Sequence, residues 1–178
     1  MKNRGCKLYI IHFTLYIALA LVSSAFGFDC QPIDVARTTE ISPGGVVVSP
    51  DSIILNISAP RPIIIFDLPD GFLDEDNLIM EALLTIKITP DISWDRETPI
   101  AAYCLPITSA VDASPTWASL QSAYNMEYGE FGIYDPDDGT IFFEISRMLY
   151  AATDGDVDFY GVMLIPARES AAFAISTD

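Results

Sequence analysis

The chain has 178 residues, enough for one domain with a modest core. It carries 25 acidic against 9 basic side chains, a net charge of −16. Such a surface repels nucleic-acid phosphate and anionic lipid, which bind through Lys and Arg, so nucleic acid is excluded as a partner.

The first segment stands apart from the rest. Lys2, Arg4 and Lys7 precede an apolar run from Leu8 to Val22, and Ser23-Ser-Ala-Phe-Gly27 follows. A basic start, an apolar middle and small residues at the end make a secretory leader cleaved after Gly27. The apolar run is short of the roughly 20 residues that span a bilayer, and an uncleaved anchor is the alternative. The expected plan is a leader over 1–27, an N-terminal arm with one edge strand over 28–49, and a β domain over 50–178. The protein is expected outside the cell or at its surface. Cleavage removes three bases and no acid, which takes the charge from −16 to −19. It also removes His12, the only histidine. Without histidine a mature chain has neither a Ser-His-Asp nor a Cys-His mechanism, and it lacks the commonest zinc ligand. No enzyme is expected.

Two cysteines remain after cleavage, Cys30 and Cys104. In an oxidising compartment a bridge between them would close a long loop and contribute about 4 kcal/mol. The alternative is that Cys104, inside Ala-Ala-Tyr-Cys-Leu-Pro-Ile, is a buried free thiol acting as a small hydrophobe.

In chain order, Val46–Val48 reads as an edge strand of the arm and Ser52–Ser58 as the next strand. Arg61-Pro-Ile-Ile-Ile-Phe-Asp-Leu-Pro-Asp-Gly71 follows, an apolar run between prolines that predicts a strand buried on both faces. Asp70–Asn77 is an acidic loop. Leu78–Thr89 ends in strict alternation, with Leu84, Ile86 and Ile88 against Thr85, Lys87 and Thr89, which marks a strand with one wet face. After a polar loop come a strand at Ile100–Ile107 and a long connection, 109–125, with room for one helical turn. A short strand at Glu127–Tyr134, the turn Asp135-Pro-Asp-Asp-Gly139 and a strand from Thr140 follow. That last strand passes into a short helix or bulged crossing near 144–152, where Ile145, Met148 and Leu149 have helical spacing. Phe159–Pro166 and Ala171–Ser176 read as the closing strands. Eight or nine short strands with turn punctuation predict an all-β, antiparallel β-sandwich.

Several pieces in order resemble one family. They are Ile63-Ile-Ile-Phe-Asp-Leu-Pro, Glu81-Ala-Leu-Leu-Thr-Ile-Lys-Ile, Pro115-Thr-Trp117, Ile141-Phe-Phe-Glu-Ile-Ser-Arg-Met-Leu and Tyr160-Gly-Val-Met-Leu-Ile. The pattern, over roughly residues 50–176, is similar to the DNRLRE-type extracellular β-sandwich domains. It departs from them at Ile65, where Arg is usual, at Glu144-Ile-Ser and at Asp158-Phe-Tyr-Gly. The resemblance implies a jelly-roll-like sandwich of the kind attached to polysaccharide-active or cell-surface proteins, with carbohydrate binding in some members. It also implies that Trp117, at the family's Thr-Trp position, is a core residue.

Trp94 lies in Ser-Trp-Asp-Arg-Glu, where a flat ring could stack on a sugar while Asp95, Arg96 and Glu97 bond its hydroxyls. The plainer reading folds Trp94 back to cap the sandwich end. Tyr124, Tyr128 and Tyr134, with Asn125, Glu127 and Glu130, form a second aromatic and carboxylate mixture, from which Tyr128 and Tyr134 join the candidate ligand site. The acidic stretches 74–76, 135–138 and 154–158 could supply oxygen ligands to calcium, with Asp154, Asp156 and Asp158 in EF-hand-like alternation. Phe159 and Ile165 stand where that loop needs Gly and Glu, so a solvated turn competes. Paired carboxylates could hydrolyse a glycoside, but none is marked out by its sequence context. Asn56-Ile-Ser58 matches a glycosylation acceptor inside a predicted strand and is discounted. The leading expectation is a secreted, non-catalytic module for a polysaccharide or surface glycan. The alternative is a structural or adhesive protein that self-associates, or pairs with a surface-protein partner, through sheet edges.

Overall fold

A computed structural model describes residues 14–19, 29–48, 52–55, 61–74, 79–90, 94, 97–111, 116–167, 170 and 173–176. In chain order the elements are β1 (Thr14–Leu19), β2 (Asp29–Ile33), β3 (Val35–Ser42), β4 (Gly45–Val48), β5 (Ser52–Leu55), β6 (Arg61–Phe66) and β7 (Ile79–Pro90). Then come β8 (Ala101–Pro106), α1 (Trp117–Leu120), β9 (Glu130–Asp135), β10 (Thr140–Glu144), α2 (Ser146–Thr153), β11 (Val162–Pro166) and β12 (Phe173–Ser176). The strands join edge to edge in the order β2-β1-β7-β10-β9-β8-β11-β6-β3-β4, and β12 pairs with β5 and with the end of β7. Every pairing between these strands is antiparallel.

The sheet curls, so residues from distant strands meet inside it. Leu84 and Ile86 of β7 and Ile141 and Phe143 of β10 share one core with Ile64 and Phe66 of β6, Val162 and Leu164 of β11, and Ala102 and Cys104 of β8. The result is the all-β, sandwich-like fold that the strand pattern predicts. Among the described residues it uses more strands than expected, eleven from Asp29 onward. The surplus comes mainly from the arm, where β2 and β3 accompany the one edge strand anticipated at Val46–Val48.

Periodicity explains the central elements. Ala82, Leu84, Ile86 and Ile88 of β7 are buried while Glu81, Lys87 and Thr89 are exposed, the two-residue period of a strand with one wet face. β6 is covered on both sides. Ile64 and Phe66 enter the main core, and Ile63 enters a smaller cluster on the other face with Ile41, Leu105, Ile107, Leu120, Ala123 and Met163. The crossing after β10 is a helix, locked to β7 by three bonds. Ala82 N–H donates to Ser146 Oγ at 2.8 Å, and Ile145 N–H donates to Ala82 O at 2.8 Å. Tyr150 OH donates to Ile79 O. The Asp135–Gly139 turn closes as its composition predicts, with Gly139 at φ 70°.

Two sequence expectations meet the structure in unexpected places. Thr14–Leu19, inside the segment that reads as a leader, forms an inner strand between β2 and β7. The Cys30–Cys104 bridge is not made: Cys104 is a free thiol buried among Ala102, Leu164 and Phe143 in the main core. Burial pushes its pKa far above the usual thiol range, so it stays protonated and packs as an apolar group. Among the described residues no helix is long and apolar enough to cross a membrane.

Candidate functional site

The site is built on the outer face of the sheet, where the chain between β8 and β9 folds back over β6, β8 and β11. A capping box starts α1. Ser119 N–H donates to Thr116 Oγ1 at 3.1 Å, and Thr116 N–H donates to Ser119 Oγ at 3.0 Å. Leu120 and Ala123 then bury themselves in the smaller cluster. Full burial of a side chain such as Leu120 contributes about 2 kcal/mol. The segment's far end is tied to the strand ladder. Thr108 N–H donates to Ala123 O at 2.7 Å, Asn125 N–H donates to Pro106 O at 3.1 Å, and Tyr124 bridges to Ile107.

This anchoring leaves Trp117, Gln121 and Tyr124 around a half-open cleft of about 130 Å³, whose other walls are Arg61, Leu120, Met163 and Ile165. The Arg61 guanidinium lies 5.6 Å from the centre of the Trp117 ring, within cation–π range. Burial lowers the Arg61 pKa, and the nearby Tyr124 hydroxyl works in the opposite sense. Two aromatic rings, a guanidinium and a primary amide thus converge on one hollow. Rings supply apolar faces, while the amide and guanidinium supply directed donors, which is the mixture that holds a polar ring-shaped ligand.

An aromatic row runs on from the Ile165 wall of the cleft. The β6–β11 register pairs Ile64 with Val162 and Ile63 with Met163, and Arg61 and Ile165, two residues further along on the same faces, both line the cleft. Ile165 pairs with Tyr103, and Tyr103 pairs with Phe131. Directly paired residues share a face, so Arg61, Ile165, Tyr103 and Phe131 form one line across four strands. The Tyr103 and Phe131 rings touch, with centroids 5.1 Å apart and planes at 54°. Tyr103, Phe131, Ile133 and Phe142 remain 42%, 50%, 58% and 51% exposed, which makes this the main uncovered apolar surface of the described chain.

The residues singled out from the sequence fall elsewhere. Trp94 is half-buried against the main core. Its Nε1 donates to Thr98 O at 2.7 Å, and its ring meets Tyr134 edge-on at 5.5 Å. Asp95 and Arg96 lie outside the described residues, and Glu97 is exposed. Tyr128 packs on the core beneath Arg147, whose guanidinium sits 5.5 Å from the ring centre. The structure therefore brings Trp94 and Tyr134 together but uses both in packing. Near Arg147, Glu130 has its pKa raised by burial first and by the Glu144 carboxylate second, with Arg147 opposing. Asp154, Asp156 and Asp158 occupy an exposed stretch after α2, and no group of three or more His, Cys, Asp or Glu among the described residues is arranged to hold a metal ion.

Sequence reasoning missed Arg61, Gln121, Tyr103, Phe131 and Phe142 as site residues, while Trp117, expected in the core, packs half-buried on the smaller cluster and also walls the cleft. Phe131 and Ile133 alternate with Gly132 and Tyr134, so no polar face marks which side is wet. Comparison with known proteins supplies no relative: no family model, curated protein or solved structure matches the chain. Fold and site together define a class, an antiparallel all-β, sandwich-like domain carrying an aromatic cleft on its outer sheet face.

Proposed function

We propose that the protein is a secreted, non-catalytic binding module for carbohydrate, with its site at the Arg61–Trp117–Tyr124 cleft. The observation that carries this reading is the convergence of two rings, a guanidinium and the Gln121 amide on a hollow walled by a pinned segment. A pinned wall loses little conformational entropy when a ligand arrives. The resemblance to DNRLRE-type domains points the same way. The choice of Trp117 over Trp94 as the stacking platform rests on the cleft: both rings pack on a core cluster, but Trp117 also walls the hollow, whereas the Trp94 indole is engaged by Thr98 and Tyr134. The acidic chain favours a neutral glycan, because an anionic one would meet like charge unless calcium bridged the two.

A second reading, a structural protein that self-associates through sheet edges, draws on β4, which among the described residues ends the strand order and pairs only with β3. Affinity electrophoresis against neutral and acidic polysaccharides, with and without calcium, separates the two. The expected result is retardation by a neutral polymer that Trp117→Ala abolishes and Trp94→Ala preserves. Absence of retardation on every polymer would remove the carbohydrate reading and leave self-association in front.

A further inference from the structure

We infer that the ligand is an extended neutral glycan chain lying across the strands, from the cleft over Ile165 and Tyr103 to Phe131. This deepens the carbohydrate reading and rests on it. The cleft alone, at about 130 Å³, is far below the roughly 300 Å³ at which pockets begin to enclose a whole small-molecule ligand. One ring fills it, and anything attached to that ring must leave through the open side.

The aromatic row begins at the cleft wall, where Ile165 pairs with Tyr103. Ile165, Tyr103 and Phe131 stand one strand apart in register, and Arg61 on β6 lines the cleft beside Ile165. Neighbouring strands are roughly 4.8 Å apart, so the line is about 14 Å long, the length of roughly three linked sugar rings. Tyr103 and Phe131 present ring surface along it, and Phe142 and Ile133 widen its far end. A pyranose face is a plate of C–H bonds edged by hydroxyls, so successive rings of a chain can stack on successive side chains of the row.

Charge decides between occupants. A second copy of this chain would carry the same net charge of −16 toward the first, and an anionic glycan would add its own repulsion. A neutral polymer meets neither cost. The row also runs perpendicular to the strands, away from the unpaired backbone of β4, so a chain bound there needs no strand pairing with the sheet.

The test is isothermal titration of the full-length protein with neutral β-linked glucose and mannose oligomers, from the disaccharide to the hexasaccharide. Affinity should climb with length over the first few units and then level off. Phe131→Ala, a surface change, should leave disaccharide binding unaltered and weaken the hexasaccharide about tenfold, the scale of one lost aromatic contact. Tyr103→Ala, nearer the cleft, should weaken the hexasaccharide at least as much, and Trp117→Ala should abolish binding of every oligomer. Affinity independent of length, or a Phe131→Ala variant that binds the hexasaccharide normally, would overturn the extended site while leaving the cleft reading intact. No binding of any oligomer would remove both. Sedimentation showing a dimer that Phe131→Ala dissociates would reassign the face to self-association.

Discussion

Replacing Trp94 with alanine separates a packing role from a binding one. The indole is half-buried against the main core, donates to Thr98 O at 2.7 Å and meets Tyr134 edge-on. Truncating a fully buried Trp costs about 3–5 kcal/mol, and half burial brings that to about 2 kcal/mol. The lost hydrogen bond and the lost edge contact add about 1 kcal/mol between them. The total, about 2–3 kcal/mol, should lower the melting temperature by about 5–10 °C for a chain of this size. Urea unfolding followed by far-ultraviolet circular dichroism reads the loss, and glycan retardation of the folded variant should be unchanged. A variant as stable as the parent to within about 0.5 kcal/mol, yet no longer retarded by glycan, would refute the packing role and restore Trp94 as the platform.

Gly161 sits at φ 139°, and a Cβ there would come within 2.4 Å of Ile64 O. Gly161→Ala should therefore cost about 1–3 kcal/mol by denaturant unfolding, and a neutral result would mean that β6 and β11 are less closely apposed. For Glu130 the sign follows from its raised pKa: the folded state resists its ionisation, so its contribution is fully present at acidic pH and is lost as pH rises through the folded value. Glu130→Gln should raise the melting temperature at neutral pH and leave it unchanged below about pH 4; equal effects at both would contradict the linkage. Cys104 should resist alkylation in the native protein and react fully once unfolded without reductant, whereas an unreactive unfolded chain would reveal a bridge. In a chain beginning at Phe28, β1 is gone. The amides of Leu83 and Thr85 face the β1 side, opposite to Ala82 N–H, and their hydrogen exchange should accelerate about tenfold or more. Unchanged protection there would mean that another strand takes the place of β1.

Much of the fold was legible because it is written in short-range pattern. The alternation from Leu84 to Thr89, the prolines around Ile63–Phe66, the Asp135–Gly139 turn and the helical spacing of Ile145, Met148 and Leu149 each specify a local geometry, and each appears as read. The arm was less legible. Val35–Ser42 mixes Arg, Thr and Glu with Val and Ile, yet it lies between β6 and β4, where Thr38 and Thr39 are buried. Neighbours supplied by β6 override that polar composition, an effect absent from the local window.

The two tryptophans show why the candidate site resisted the same treatment. Trp94 has the polar neighbours of a binding ring, and Trp117 follows a Pro-Thr pair that suggested a buried position. What separates them is not chemistry within five residues but what lies opposite in space. Trp94 meets Tyr134, forty positions away, and Trp117 meets Arg61, more than fifty positions away. The second pairing exists because the β6–β11 register brings Arg61 beside Ile165 while the capped α1 segment lays its first helical residue over them. A one-residue slip of β6 against β11 would turn Arg61 to the other face and take away that wall of the cleft. The candidate surface is therefore a property of strand register, and the Phe131 and Tyr103 rings join it through the same ladder.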